Sequence, residues 1–147
     1  MMLNRYGNYV LRGQAIEGDG PKEINLFSGS YTSGFRLVQF QVASFGYFTS
    51  EEVQGVIRTN GEAFANLWDW SEPTEIGWAA TDMAAGGTRD KTFSLVDSSR
   101  IVVDKLFVNV NNNKGTNDPV NYYIEMMPVD LKSFEYALAY VQGIGQG

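Results

Sequence analysis

Residues 100–129 constrain the fold most, because two apolar runs flank a short loop rich in Asn, Gly, Asp and Pro. In the first run, 100–110, apolar residues occupy both alternating faces, which is typical of a central strand. In the second run, 120–129, one face is apolar and the other is mixed. The loop, 111–119, is too short for a parallel crossover, which needs roughly a dozen or more residues. The pattern predicts an antiparallel β-hairpin at the centre of the fold.

Histidine and cysteine are both absent from the 147 residues, which removes several kinds of chemistry. Without cysteine there are no disulfides, thiol nucleophiles or thiolate metal sites. Without histidine the usual general base near pH 7 and the commonest transition-metal ligand are missing. Eleven basic against seventeen acidic residues give a net charge of −6, which would repel a phosphate backbone. We therefore expect no cofactor and no nucleic-acid partner.

No apolar run approaches the roughly 18 residues of a membrane span, so we expect no membrane association. Residues 1–6 lead into glycines without an apolar h-region, so we expect no secretory signal. Residues 1–21 contain four glycines and few apolar residues, and we interpret them as a Gly-rich N-terminal arm. Ordering such an arm costs on the order of 1–2 kcal/mol per residue. An ordered arm must therefore pack on its own domain or on a neighbour.

The remaining residues, 22–147, are predicted to form a single β-sandwich domain with a terminal helix. Residues 52–59 fit either a capped helix or a strand, and their β-branched residues favour a strand. Leu131, Phe134, Leu138 and Val141 share one stripe and predict a helix over about 131–142, begun by Asp130 and ended by Gly143. The other predicted strands are 22–28, 35–42, 74–80 and 92–96. The fold class is therefore mainly β: an antiparallel two-sheet sandwich, jelly-roll-like, with one C-terminal α-helix.

The loop at 111–118 is the candidate calcium site, because oxygen-bearing side chains recur there. An EF-hand loop would end in a bidentate Glu at its twelfth position, but counting from Asn111 reaches Tyr122. Asp118 is the single carboxylate of the loop. We therefore interpret the loop as a connector, since Asn, Gly and Asp also tolerate the backbone of tight turns.

Trp68 and Trp70 are two residues apart, so on an extended segment they share a face. Together with Trp78 they form a candidate sugar-stacking platform, as in carbohydrate-binding modules. Burial against the sheet is the competing interpretation, because aromatic side chains dominate cores. A glycan-binding module predicts Trp68 or Trp70 exposed in a concave groove.

An enzyme is not expected from these residues. Glycoside hydrolysis needs two carboxyl groups at a defined separation, and the acidic motif of jelly-roll glucanases is absent. Its nearest approach, at Glu17 and Asp19, continues with Lys22 where an acid is needed. Neither a G-x-S-x-G sequence nor a P-loop is present. A small glycosidase or lyase would require two acids facing each other across a cleft.

The chain resembles small β-sandwich virion proteins of tailed bacteriophages, especially capsid cement or decoration proteins. The resemblance is carried by a short acidic chain without cysteine, the arm at 1–21, Gly-punctuated strands and a Gly/Gln-rich end at 143–147. It implies a non-enzymatic structural subunit, located in the virion, that forms a homotrimer or another symmetric oligomer. Its other partner would be a major capsid or other virion protein, with neighbouring subunits bridged through arms and loops.

A tail, fibre or neck component of the same kind of particle is the first alternative, and a carbohydrate-binding β-sandwich module is the alternative of another class. The arm, the Trp-rich segment and the 111–119 loop are the parts expected to reach neighbours. The interface candidates are Tyr6, Tyr9, Val10, Leu11, Trp68, Trp70, Asn112 and Lys114.

Overall fold

The fold is described from a computed structural model for residues 2–27, 29–45, 51–62, 68–83, 90–115 and 117–144. These residues form two antiparallel sheets and one C-terminal helix, so the predicted mainly β sandwich is confirmed. A single 3-10 turn is described, at Glu17–Asp19. In chain order the elements are β1 (Met2–Leu3), β2 (Tyr9–Ala15), β3 (Lys22–Asn25), β4 (Ser33–Ser44), β5 (Glu51–Arg58), β6 (Glu75–Met83), β7 (Asp90–Val96), β8 (Lys105–Asn112), β9 (Val120–Asp130) and α1 (Ser133–Gly143).

The four-stranded sheet has the order β1-β2-β9-β4, and the five-stranded sheet has the order β3-β8-β5-β6-β7. The chain passes between the sheets at β2–β3, β3–β4, β4–β5 and β8–β9, as it does in jelly rolls. Hydroxyl groups of the five-stranded sheet reach the neighbouring edge of β4. The Ser94 hydroxyl donates to the Phe40 carbonyl, and the Thr81 hydroxyl donates to the Val42 carbonyl. These bonds occupy acceptors on an edge that could otherwise pair with another chain.

The core lies between the two sheets and is built from alternating inward residues. Val120, Tyr122, Ile124 and Met126 of β9 are all buried, which confirms the predicted apolar face of that run. The opposite sheet contributes Leu106, Val108 and Val110 of β8, which are buried members of the predicted face of the first run. Val102 of the same face is also buried, but it precedes β8 and forms an isolated bridge with Phe35. Residues 52–59 are mostly strand, as predicted, since β5 covers Glu51–Arg58.

Gly55 of β5 marks a close approach between the sheets. An added Cβ there would lie 2.9 Å from Phe40 Cζ and 3.0 Å from Val42 Cγ1. Phe40 is completely buried. The absence of a side chain at Gly55 is therefore what makes room for the Phe40 ring.

The predicted central hairpin is wrong. β8 pairs with β3 and β5, whereas β9 pairs with β2 and β4, so the connecting loop crosses from one sheet to the other. A short loop excludes a parallel crossover within one sheet. It does not exclude a step to a facing sheet about 10 Å away.

Within the predicted N-terminal arm, Tyr9–Ala15 form β2 in continuous register with β9, from Tyr9↔Met126 to Ala15↔Val120. The glycine pattern suggested flexibility, but Gly13 instead permits close packing. A Cβ at Gly13 would lie 2.7 Å from Tyr122 Oη. This part of the segment therefore packs on its own domain.

The predicted helix exists at α1 and ends at Gly143 as expected, but the predicted apolar stripe does not face the sheets. Tyr136 and Ala139 face the sheets, while Phe134, Leu138 and Val141 are exposed. Leu131 is buried, but it precedes the first helical residue and so does not share the helical phase. The helix begins at Ser133, where the Lys132 amide donates to the Glu135 carboxylate at 3.0 Å, and Asp130 belongs to β9.

Candidate functional site

The buried carboxylate of Glu75, at the start of β6, fixes the Trp-bearing connection between β5 and β6. Its Oε2 accepts a hydrogen bond from Arg58 Nη2 at 2.7 Å. Its Oε1 accepts from Trp78 Nε1 at 2.8 Å and from the Asp69 backbone N–H at 3.0 Å. The Glu75 side chain is fully buried and that of Arg58 is 10% exposed. We call this arrangement the Glu75 clamp.

An exposed group of rings lies beside the clamp. Trp70 is 62% exposed and Phe93 is 40% exposed, and their rings are nearly parallel at 18° with centroids 6.5 Å apart. Trp68 is half-buried, and its ring lies 5.3 Å from that of Phe93. Trp78 is buried and meets Trp70 edge-on at 5.9 Å. We call Trp68, Trp70 and Phe93 the aromatic ridge.

A tight turn holds Trp70 in place. The Asp69 carboxylate accepts from the Ser71 hydroxyl at 2.5 Å and from the Ser71 backbone N–H at 3.0 Å. These two bonds favour the ionised form and lower the pKa of Asp69 below its ordinary value, with the Ser71 hydroxyl the largest cause. The ionised Asp69 therefore stabilises the turn at neutral pH.

Replacing Ser71 with Ala is expected to raise the Asp69 pKa toward its ordinary value, because the hydroxyl donor is removed. In the native chain the lowered pKa means that the turn is stabilised above the unfolded-state pKa of Asp69. That stabilisation is lost as the pH falls through the lowered value. An NMR titration of the Asp69 carboxyl carbon in both proteins measures this. An unchanged Asp69 titration in the variant would contradict the assigned cause.

A groove of about 340 Å³ opens on the outer face of the five-stranded sheet, next to the aromatic ridge. Cross-strand pairing places Gln54 beside Asn111 and Asp82 beside Lys91. Phe93 lines the groove and also belongs to the ridge. We call this space the polar groove, because most of the residues that line it carry an amide or a charged group.

Helix α1 presents a second exposed area. Phe134, Leu138, Val141 and Ile144 are between 43% and 69% exposed, and we call them the helix surface. Next to them lies a cleft of about 730 Å³ that is lined by α1 and by Phe27 and Tyr31. Tyr136 packs edge-on against Tyr31 with centroids 5.3 Å apart, and burial raises the pKa of its phenol. An apolar helix face and an aromatic cleft thus share one side of the molecule.

The predicted interface candidates do not form one site. Tyr6 is 72% exposed near the β1–β2 turn, while Tyr9 is half-buried against Phe35 and Leu11 is half-buried against the core. Lys114 is exposed in the β8–β9 loop, far along the chain from the N-terminal candidates. Val10 and Asn112 are buried, and their assignment as contact residues stays a prediction.

Two elements of these sites were missed by the sequence interpretation. Phe93 is far from Trp68 and Trp70 in the sequence. The pairing of β7 with β6, in which Phe93 lies opposite Ala80, brings its ring next to theirs. Glu75 pairs with Arg58 across the mouth of the β5–β6 connection. Opposite charges at the two ends of a strand–loop–strand unit are the signal that could have revealed the clamp.

Comparison of the chain with protein-family models, curated proteins and solved structures gave no match. Among the described residues, no group of three or more acidic side chains is placed to hold a metal ion. Within the same part of the chain, no helix has the length and apolar character needed to cross a membrane.

Proposed function

We propose that this chain is a non-enzymatic virion structural protein, a capsid cement or decoration subunit that bridges neighbouring capsid proteins. The helix surface is the observation that carries the proposal. A helix that packs on a domain normally turns its apolar stripe to the core. Here α1 packs through Tyr136 and Ala139, and a stripe headed by Phe134 faces outward.

Contiguous exposed apolar residues on a folded domain mark contacts with other proteins. The cleft beside the helix surface strengthens this assignment, because Tyr31 and Tyr140 line it and aromatic residues are enriched in protein interfaces. Helix α1 is joined to β9 and its outward face is preformed, so little ordering entropy opposes association. A capsid protein segment that covers the helix surface and the cleft is the proposed occupant.

A bridging subunit needs a second contact area, and the N-terminal edge supplies one. Met2, Leu3 and Tyr6 are all more than half exposed around the short edge strand β1. Met2 and Leu3 belong to the four-stranded sheet and Tyr6 to the β1–β2 turn, so this area lies on different elements from α1. Contact through both areas would join two neighbouring capsid proteins. We also propose that copies of this chain associate with one another into a homotrimer or another symmetric oligomer. Jelly rolls also occur in capsid proteins, which supports the role by analogy of fold alone.

The test is the copy number of the chain in gradient-purified virions of the phage that encodes it, relative to the major capsid protein. Replacing Phe134 and Leu138 by Ser is expected to lower incorporation by about tenfold or more, because the centre of the apolar contact becomes polar. Val38→Ser is the matched control, since Val38 is also an exposed apolar residue but lies on β4. It should leave incorporation unchanged.

Absence of the chain from purified virions would overturn the proposal, as would equal incorporation of the helix variant and the control. Electron cryomicroscopy of the particles separates the head assignment from the alternative of a tail, fibre or neck component. Density on the capsid surface supports the cement role, and density confined to the tail supports the alternative.

A further inference from the structure

We infer that the polar groove and the aromatic ridge together form a binding site for a neutral glycan. The inference is independent of the virion role, because it concerns the five-stranded sheet and not the helix surface. Its basis is the juxtaposition of exposed, nearly parallel rings with a groove lined by amides and carboxylates.

The rings supply the apolar half of such a site. One face of a sugar ring carries C–H groups and packs on aromatic rings, whereas its edge carries hydroxyl groups. Trp70 is 62% exposed and Phe93 is 40% exposed, whereas Trp78, which lies on the same outer face of β6 as Asp82, is buried. Exposing a tryptophan to this extent forgoes burial that stabilises the fold. A ligand that covers the tryptophan ring would bury this apolar surface when it binds.

The groove supplies the polar half. Sugar hydroxyl groups both donate and accept hydrogen bonds, and the groove offers the Asp82 carboxylate as an acceptor and the Lys91 ammonium as a donor. Its volume of about 340 Å³ falls within the range of small-molecule sites.

The charges favour a neutral ligand over an anionic one. Glu52 and Asp82 line the groove together with a single cation, Lys91. An anionic polysaccharide or a phosphate would meet two carboxylates at close range. A protein partner is also less favoured there, because charged residues are depleted from the centres of protein interfaces.

The site is held rigid before any ligand arrives. The Glu75 clamp fixes the Asp69 backbone, and the Asp69–Ser71 turn fixes the position of Trp70. The remaining groups project from four hydrogen-bonded strands. Rigid placement lowers the entropic cost of binding. A site that relies on weak ring stacking needs this low cost in order to bind a ligand measurably.

The experiment measures binding of the full chain to a β-glucan, an α-mannan, a galactan and amylose, with alginate as the anionic comparison. Affinity electrophoresis and tryptophan fluorescence report binding in parallel. We expect wild-type protein to bind at least one neutral polysaccharide and to ignore alginate. Trp70→Ala is expected to weaken that binding about tenfold or more, and Asp82→Asn by about tenfold through loss of a charge-assisted hydrogen bond.

Tyr31→Ala is the matched control, because Tyr31 is an equally exposed aromatic residue in the cleft beside α1. It should bind like wild type. Thermal unfolding of each variant checks that the fold is retained. The inference is overturned if wild type binds none of the neutral polysaccharides at millimolar sugar, if it prefers alginate, or if Trp70→Ala and Asp82→Asn both bind normally. A change of oligomeric state in Trp70→Ala would assign the ridge to a protein contact and would also overturn it.

Discussion

Replacing Glu75 with Gln is expected to lower the free energy of unfolding by about 3–5 kcal/mol, because it leaves the Arg58 charge buried without its partner. The native carboxylate accepts three hydrogen bonds, from Arg58, Trp78 and the Asp69 backbone. A Gln side chain keeps the shape but exchanges one acceptor for an amide donor. At least one donor of the clamp then faces another donor, so the change costs more than a lost surface ion pair.

Urea denaturation followed by tryptophan fluorescence measures this, and Glu62→Gln is the control. Glu62 lies 3.9 Å from Arg58, but its side chain is 72% exposed, so we expect its replacement to cost less than about 1 kcal/mol. Adding Arg58→Met to Glu75→Gln removes the orphaned charge and is expected to recover part of the loss. A Glu75→Gln variant as stable as Glu62→Gln would show that the clamp does not stabilise the fold.

Replacing Phe40 with Ala is expected to cost about 3–5 kcal/mol, since the ring is completely buried between the sheets and its removal leaves a cavity. Gly55→Ala alone is expected to cost about 1–3 kcal/mol, because the new methyl group would lie 2.9 Å from Phe40 Cζ. The double variant is expected to be more stable than the sum of the two losses, since the methyl group enters space that the ring has vacated. Val42 Cγ1 at 3.0 Å limits the recovery.

A double-mutant cycle on the free energy of unfolding tests this coupling. The control cycle combines Phe40→Ala with Gly143→Ala, because a Cβ at Gly143 meets Thr59 at an ordinary 3.7 Å and is not in contact with Phe40. That pair should be additive. Additivity in the Phe40–Gly55 cycle would contradict the close approach described between the sheets.

The strand faces could be predicted from the sequence because alternation is a local property. The alternate residues of β9 that the pattern places on the apolar face are all buried, namely Val120, Tyr122, Ile124 and Met126. The partner of each strand is not local. The loop at 111–119 has the same composition whether it turns within one sheet or crosses to the other, so the hairpin prediction failed at that step. Likewise, the glycine at position 13 reads as flexibility until the Tyr122 ring opposite it is known.

The candidate sites show the same division. Trp70 stood out by residue type, but its companion Phe93 is recognisable only once β6 and β7 are paired. For the helix, apolar spacing gives the stripe a phase but not a direction. The sheet side was instead taken by Tyr136 and Ala139, and Ala139 adds little bulk between helix and sheet. Periodicity alone cannot choose between burying Ala139 and burying Leu138.

Strand β9 lies between β2 and β4, and β2 pairs with it residue by residue although more than a hundred positions separate them. The four-stranded sheet therefore cannot join β2 to β4 until β9 has been synthesised. Contacts between such distant positions require large loops to close first, which places folding in the slow range of β proteins, milliseconds to seconds. Until then β4 has no partner in its sheet and β2 pairs only with the two-residue strand β1, so their free edges can pair with other chains. Folding of the four-stranded sheet thus waits for the synthesis of β9 and depends on keeping nascent copies apart until then.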